Sequence, residues 1–145
     1  ALRARLEALV QADAEAFAAV MEAYQRPKDG ASEAMLRREA IQNALRTATQ
    51  VPLDSLEAVV EAMAAAQEAA AHGNPSAASD AGVAGYIGLA AARAAALNVE
   101  INVLGLRDLE EGDRLRKLAM AKVREAEAAA DDIERRVRAR IAGGA

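Results

Sequence analysis

Two aspartates are the side chains best suited to acid–base chemistry in this chain of 145 residues. Asp13 falls on an apolar stripe of the first predicted helix, where a carboxylate must be ion-paired, neutral or functional because burying it alone is costly. Asp80 falls in the first turns of a later helix, whose positive dipole end favours an ionised general base or a stabiliser of a cation. Structural readings stay open for both, as an ion pair for Asp13 and as a helix-start hydrogen bond for Asp80. Asp80 and Asp13 are therefore the catalytic candidates.

Amide side chains form the second informative group. Asn98 and Asn102 are four residues apart, so they share one face of a helix. On a buried helix two amides need partners, which are either neighbouring backbone groups or a heterocycle held along that face. Asn74 precedes Pro75 and is placed to cap the helix that follows. This pattern predicts that the helix carries one wall of a polar site.

Several kinds of chemistry are excluded by composition. The chain has no cysteine and one histidine, His72, which rules out disulfides, thiol nucleophiles and His-rich metal sites, so no metal is expected. Neither GxGxxG after a strand nor GxxxxGK[ST] occurs. The net charge of -4 argues against a nucleic-acid partner. His72 ends a predicted helix and is expected to contact the carbonyls of its last turn.

The elements that position these residues are predicted to be helical throughout. Hydrophobic residues make up 53% of the chain but aromatic ones only 2%, so the core must consist of Ala, Leu, Val and Ile. The pattern predicts a single all-α domain over residues 1–145, a bundle of about five helices with a long C-terminal helix. The predicted helices span residues 1–25, 33–49, 53–71, 74–104 and 107–142. The last is about 50 Å long, so we expect it to extend past its own core and pack on a second copy in a dimer.

The fourth predicted helix is the centre of the expected bundle. Gly82, Gly85 and Gly88 recur every third residue in it. Each interior glycine costs about 1 kcal/mol relative to alanine, so we expect another backbone or a ligand to approach this face closely. Its apolar run over 81–97 is interrupted by Arg93, which favours a buried helix over a membrane span. No targeting segment is recognisable, and a cytoplasmic location is expected.

Cationic side chains complete the candidate set. Lys28 lies in the loop between the first two helices, where a solvated charge is the simplest reading. Arg38 shares a face with apolar residues, so it either extends toward solvent or pairs with an internal carboxylate such as Asp13.

A long segment and four short ones together resemble a known family over about residues 5–108. The long segment, GNPSAASDAGVAGYIGLAAARAAALNVEIN, covers 73–102. The short ones, in the same order as in the family, are DAEAF (13–17), RPKD (26–29), AIQNAL (40–45) and VPL (51–53). They resemble the cyclodeaminase/cyclohydrolase family, which comprises the C-terminal half of formiminotransferase-cyclodeaminase and the stand-alone methenyltetrahydrofolate cyclohydrolase. The Pro-Gly-Gly-Gly-Ser-rich loop and small-residue helix with which family members begin have no match in this sequence.

The resemblance implies an all-helical homodimer that binds reduced folate as substrate, with no further cofactor. One branch of the family closes 5-formiminotetrahydrofolate to 5,10-methenyltetrahydrofolate with loss of ammonia, and the other hydrolyses the methenyl bridge to a formyl group. The resemblance leaves both reactions open, beside the alternative of a non-catalytic helical dimer or scaffold subunit of the same fold. The implied substrate-binding residues are Asn74, Asn98 and Asn102 toward the pteridine, and Lys28, Arg38 and Arg93 toward the glutamate carboxylates.

Overall fold

The computed structural model describes residues 1–143, and these residues form four α-helices and one 3₁₀ turn. Helix α1 spans Leu2–Gln25, α2 spans Ala31–His72, α3 spans Ala78–Val103 and α4 spans Leu109–Gly143, and the 3₁₀ turn Pro75–Ala77 precedes α3. No strand occurs over residues 1–143. The all-α class is therefore confirmed, whereas the prediction of five helices is wrong.

The difference in helix number arises at Pro52. Proline lacks the N–H donor and its ring clashes with the carbonyl four residues earlier, so the sequence predicted two helices, over 33–49 and 53–71. In the structure α2 continues through Pro52 for 42 residues, about 63 Å. The carbonyl of Ala48, which would receive the missing N–H, instead accepts a hydrogen bond from Asn102 Nδ2 at 2.6 Å. A contact from another helix thus compensates for the donor that proline lacks.

Other helix ends also depart from prediction by a few residues. Asn74 Oδ1 accepts the backbone N–H of Ser76 at 3.1 Å, so this side chain caps the 3₁₀ turn, and α3 itself begins at Ala78. At the end of α2, the carbonyls of Ala71 and Gly73 accept hydrogen bonds from Arg140 of α4, at 3.0 and 2.8 Å. The prediction that His72 contacts these carbonyls is wrong, because Arg140 reaches them from outside the helix while the His72 side chain is exposed.

The packing is organised by α2, along which α1 and α3 both lie, while α4 packs on α2 and α3. The close approach expected at the glycines of α3 is present. A Cβ on Gly88 would lie 2.6 Å from Met63 Cγ of α2, and one on Gly85 would lie 3.1 Å from Ile133 Cγ2 of α4. Because these glycines have no side chain, Met63 of α2 and Ile133 of α4 pack directly against the backbone of α3.

Helix α3 is buried along one face and exposed along the other. Ala92 and Val99 are fully buried against the neighbouring helices, whereas Leu97 and Ile101 are about two-thirds exposed. By length and composition α3 is apolar enough to cross a membrane, and 28% of its most apolar 18-residue window is buried. The expectation of a buried central helix therefore holds for one face of α3 and not for the other.

Candidate functional site

A groove between α1, α2 and α3 brings together two of the predicted site residues, Asp13 and Asn98. Its volume is about 390 Å³. It is lined by Leu6, Leu9, Val10 and Asp13 of α1, Pro52 and Ser55 of α2, and Ala95 and Asn98 of α3.

The groove exists because α1 and α3 both pack along α2 and leave a gap above Pro52. Asp13 and Asn98 are exposed on opposite walls, so Asp13 is not the buried, core-facing carboxylate that its stripe predicted. The Ser55 hydroxyl donates to the carbonyl of Val51 at 3.0 Å. The remaining lining side chains are aliphatic or proline. The groove thus places one carboxylate and one amide on otherwise apolar walls.

Asn102 lies one helical turn beyond Asn98 and has a visible partner. Its Nδ2 donates to the Ala48 carbonyl, so this side chain links α3 to α2 at the end of the groove. The sequence left open whether the two amides bind neighbouring backbone groups or a heterocycle. In the structure the Asn102 amide binds a backbone carbonyl of the neighbouring helix. Its substrate-binding role stays a prediction, as does that of Asn98.

The second catalytic candidate, Asp80, lies far from this groove. It is exposed in the first turn of α3, about 27 Å from Asn98 along the helix axis. Asn74 lies at the same end of the helix, next to the 3₁₀ turn. The structure therefore does not bring Asp80 and Asp13 into one site, and their roles stay predictions.

The three cationic candidates lie in three different places. Lys28 is exposed between α1 and α2. Arg93 Nη2 donates to Glu127 Oε1 at 2.9 Å and so joins α3 to α4. Arg38 lies on α2 about 21 Å from Pro52, and it does not form the pair with Asp13 that the sequence left open.

Arg38 contributes to a second groove that the sequence did not predict. Its volume is about 650 Å³, and it is lined by Met35, Arg38, Glu39, Gln42, Asn43, Arg46, Arg107 and Asp108. Gln42 shapes it by donating to the Gly105 carbonyl at 3.0 Å and accepting the Arg107 N–H at 2.7 Å. Arg46 is paired with Glu111 at 2.9 Å. Acidic side chains lie among the arginines, so this groove has mixed charge.

The strongest electrostatic perturbation lies between α4 and α2, at Asp132. The hydrogen bond from Arg136 lowers the pKa of Asp132 from its ordinary value of 3.8 to about 2, with further contributions from Gln67 and Arg135. Gln67 of α2 donates to Asp132 Oδ2 at 3.1 Å. Because these donors occupy both oxygens of a side chain that is 15% exposed, Asp132 serves as an anchor between helices. Over residues 1–143 no three acidic or histidine side chains cluster closely enough to hold a metal ion.

Comparison with known proteins assigns the chain to a family. The family model described as formiminotransferase-cyclodeaminase matches residues 1–121. This chain belongs to the formiminotransferase-cyclodeaminase family. The resemblance inferred from about residues 5–108 is thereby confirmed.

Named members of the formiminotransferase-cyclodeaminase family show the same similarity. The methenyltetrahydrofolate cyclohydrolase of Methylorubrum extorquens is 45% identical over 107 residues, which are 74% of this chain and 51% of that protein. The formimidoyltransferase-cyclodeaminase of Mus musculus is 42% identical over 108 residues, 74% of this chain and 20% of that protein. The crystal structure of formiminotetrahydrofolate cyclodeaminase from Thermotoga maritima matches with a TM-score of 0.71 and 29% identity, over 98% of this chain and 65% of that one. The match to the cyclohydrolase thus spans about half of that relative's length.

Proposed function

We propose that this chain is the helical part of a folate one-carbon enzyme. Its reaction is either hydrolysis of 5,10-methenyltetrahydrofolate to formyltetrahydrofolate or closure of 5-formiminotetrahydrofolate to the methenyl compound with release of ammonia. The names of the M. extorquens and mouse relatives support these two reactions. The observation that supports the proposal for particular residues is the groove that both Asp13 and Asn98 line.

The chemistry of the groove fits a flat, partly polar heterocycle. Its aliphatic and proline walls remove apolar surface from water, and Asn98 offers both a donor and an acceptor. Small-molecule sites typically combine apolar walls with a few polar groups that set orientation. The pteridine portion of a reduced folate is therefore the ligand assigned to this groove.

Asp13 is the assigned general base for the hydrolytic reaction. Water adds to the electron-poor methenyl carbon and gives a proton to the Asp13 carboxylate. One carbon–nitrogen bond then breaks as the hydroxyl group on that carbon loses its proton to solvent and becomes the formyl carbonyl, the released nitrogen takes up the proton held by Asp13, and the formyl group stays on the other nitrogen. In the ring-closing reaction the second folate nitrogen attacks the formimino carbon and passes its proton to the formimino nitrogen, and the same residue, protonated, gives that nitrogen the further proton with which it leaves as ammonia. A single carboxylate suits both reactions, so the groove itself favours neither branch.

The other candidate residues take secondary places in this proposal. Asn102 sets the position of α3 relative to Pro52, next to the bound ring. Lys28, Arg38 and Arg93 are kept as candidates for the carboxylates of the folate tail, and because they lie in three different places one folate tail meets only some of them. Asp80 and Asn74 take part only if the reaction occurs at the start of α3. Along the helix axis, Asp80 lies about 27 Å from Asn98. No metal and no cofactor besides the folate substrate is proposed, and the proposed location is the cytoplasm.

The decisive experiment compares two aspartates in one assay. Loss of methenyl absorbance is followed over time for the wild type, Asp13→Asn and Asp80→Asn, with ammonia release from the formimino substrate measured in parallel. We expect Asp13→Asn to lower kcat by about 100-fold or more and Asp80→Asn to leave it within about threefold. Glu15→Gln is the matched control, because Glu15 is an exposed acid of α1 bonded to Gln11 outside the groove. Full turnover in Asp13→Asn contradicts the assignment of Asp13.

A second candidate function is a non-catalytic helical dimer or scaffold of the same fold. It is supported by the exposure of Asp13 and Asn98, which leaves the groove open on its outer side. A thermal-shift titration with 5-formyltetrahydrofolate separates the two functions. A saturable rise in melting temperature supports the folate site, and no rise at high ligand concentration supports the scaffold.

A further inference from the structure

One polar side chain that lines the groove, Ser55, has no part in the reaction proposed above. The groove has three polar lining side chains, Asp13, Ser55 and Asn98. Asp13 and Asn98 are exposed on the walls that α1 and α3 form, whereas Ser55 is half-buried on α2, at the base of the groove beside Pro52. Ser55 is therefore the polar side chain of the groove that water reaches least.

The hydroxyl group of Ser55 has already committed its one proton. It donates to the carbonyl oxygen of Val51, 3.0 Å away and one turn earlier in α2. A hydroxyl group has one donor and two acceptor lone pairs, so only the lone pairs remain for a ligand. Over residues 1–143 no other side chain donates a hydrogen bond to them. Toward the groove Ser55 is thus a hydrogen-bond acceptor.

The bond to Val51 alone does not distinguish Ser55 from other hydroxyl residues of α2. Thr47 and Thr49 make the same bond, to the carbonyls of Asn43 and Leu45. Such bonds to the carbonyl four residues earlier are common for hydroxyl side chains inside helices. Thr47 is exposed and Thr49 is fully buried, and neither lines this groove. What distinguishes Ser55 is its position at the base of a ligand-sized groove.

The polar side chains of the groove offer more acceptors than donors. The carboxylate of Asp13 accepts, the hydroxyl group of Ser55 accepts because its proton is engaged, and only the amide of Asn98 carries N–H donors. A polar group that loses water without gaining a partner weakens binding. A ligand that fills the groove must therefore bring an N–H donor of its own to the side formed by α1 and α2.

We propose that Ser55 determines specificity for the reduced pteridine ring by accepting a hydrogen bond from the N–H of ring nitrogen N8. In tetrahydrofolates and in 7,8-dihydrofolate this nitrogen carries a hydrogen, whereas in fully oxidised folic acid it is a bare acceptor. The methenyl, formyl and formimino compounds all keep this hydrogen, because their one-carbon group is attached to other nitrogens. The inference rests on the proposed function, since it names the form of the ring that the same groove takes.

The oxidised ring is disfavoured at this position by a mismatch of lone pairs. In folic acid the lone pair of N8 would face the lone pairs of Ser55, and the hydroxyl proton reaches N8 only by leaving the Val51 carbonyl. A site built to bond an N–H of its substrate discriminates against analogues without that group, because the site's own polar group loses its partner. Ser55 is half-buried rather than enclosed, so we expect discrimination of about tenfold.

The proposed contact affects binding and not the chemical step. The bonds of N8 do not change in either of the two reactions, so its hydrogen bond to Ser55 is equally strong in the bound substrate and in the transition state. An interaction of this kind lowers KM without raising kcat. Ser55 is thus a specificity-determining residue, and Asp13 stays the assigned general base.

The first test measures affinity by isothermal titration for three ligands: 5-formyltetrahydrofolate, 7,8-dihydrofolate and folic acid. We expect Ser55→Ala to bind the two reduced compounds about fivefold to tenfold more weakly than the wild type, and folic acid equally well. Thr47→Ala is the matched control, since it removes the same kind of bond outside the groove and should leave all three affinities unchanged. Melting temperatures check that both variants are folded.

The outcomes of this titration separate the role of Ser55 from the proposed function. If the wild type binds none of the three ligands, the proposed function is contradicted and the role of Ser55 fails with it. If the wild type binds 5-formyltetrahydrofolate and Ser55→Ala binds it equally well, only the role of Ser55 is overturned. The same holds if Ser55→Ala weakens the binding of folic acid as much as that of the reduced compounds.

A conservative variant tests whether the hydroxyl group itself is responsible. Ser55→Thr keeps this group, and Thr49 shows that a threonine of α2 makes the same bond to the backbone, at 2.7 Å. We expect Ser55→Thr to keep the wild-type ratio of affinities for 7,8-dihydrofolate and folic acid, even where its methyl group weakens the binding of both. Loss of this ratio in Ser55→Thr, as in Ser55→Ala, would overturn the proposal.

Steady-state kinetics distinguish a binding role from a catalytic one. For whichever of the two folate substrates the wild type converts, Ser55→Ala should raise KM about fivefold and leave kcat within about twofold. A lower kcat with an unchanged KM would place Ser55 in the chemical step and overturn its assignment to N8.

Discussion

Asn102 Nδ2 lies 2.6 Å from the carbonyl oxygen of Ala48, the acceptor that Pro52 leaves without its helical partner. Ala48 is 8% exposed, so water has little access to this carbonyl. A buried carbonyl without a donor destabilises the fold, and the amide from α3 supplies that donor. This one bond lets α2 remain continuous through proline and fixes α3 beside the groove that contains Asp13.

The bond predicts a specific coupling between two positions. Asn102→Leu removes the donor and should lower the free energy of unfolding by about 1–3 kcal/mol. In a Pro52→Ala background the backbone N–H of residue 52 is restored and bonds Ala48 itself, so the same change at 102 should cost less than about 1 kcal/mol. Urea unfolding of the four proteins measures this coupling. Equal costs of Asn102→Leu in both backgrounds would show that the bond does not compensate for the proline.

The same bond explains why the helix count was not predictable from sequence. Local rules end a helix before an interior proline, and nothing within 33–71 contradicts them. The compensating donor comes from a residue about 50 positions later, through a contact that only the packed structure shows. By contrast, the helical class, the end of the first helix at residue 25 and the helix end at His72 follow from periodicity and breaker residues, and these predictions agree with the structure.

The glycines of α3 give a paired prediction with opposite signs. Alanine in a helix interior is favoured over glycine by about 1 kcal/mol when space is available. At Gly82 a Cβ would make ordinary contact, 3.6 Å from Val137 Cγ1, so Gly82→Ala should stabilise the protein by up to about 1 kcal/mol. At Gly88 a Cβ would lie 2.6 Å from Cγ of the fully buried Met63, so Gly88→Ala should destabilise it by about 1–3 kcal/mol. Denaturant midpoints measure both changes, and stabilisation by Gly88→Ala would contradict the packing described.

Asp132 predicts how stability changes in acid. Its pKa of about 2 in the folded protein lies below its ordinary value of 3.8, so the unfolded chain binds more protons between these values. The contribution of Asp132 to stability is therefore complete above about pH 4 and is lost as pH falls toward 2. Unfolding free energy should thus fall less steeply over this window in Asp132→Asn than in the wild type. Asp131→Asn, at an exposed neighbour, is the control, and an unchanged slope in Asp132→Asn would contradict the assignment.

Part of the candidate site was also accessible from the sequence. Asp13 was predicted as a site residue because a carboxylate interrupts an apolar stripe. Asn98 was predicted because an amide lies on a helix of small residues. Their common groove was not predictable, because α1 and α3 meet only through their shared contact with α2. Asp80 had an equally good local argument, yet it lies at the opposite end of α3. Local patterns therefore identified polar residues in unusual positions but not their distances from one another.

A side chain that fills the groove tests whether the groove is the folate site, without changing any charged residue. Ala95 lines the groove beside Asn98, so Ala95→Phe should occupy space assigned to the pteridine and weaken binding of 5-formyltetrahydrofolate by about tenfold or more. Ala128→Phe, at an exposed position of α4 outside this groove, is the control and should bind as the wild type does. Isothermal titration measures the affinities, and melting temperatures check that both variants remain folded. Wild-type affinity in a folded Ala95→Phe protein would contradict the assignment of the folate site to this groove. The start of α3, at Asp80, would then be the candidate site.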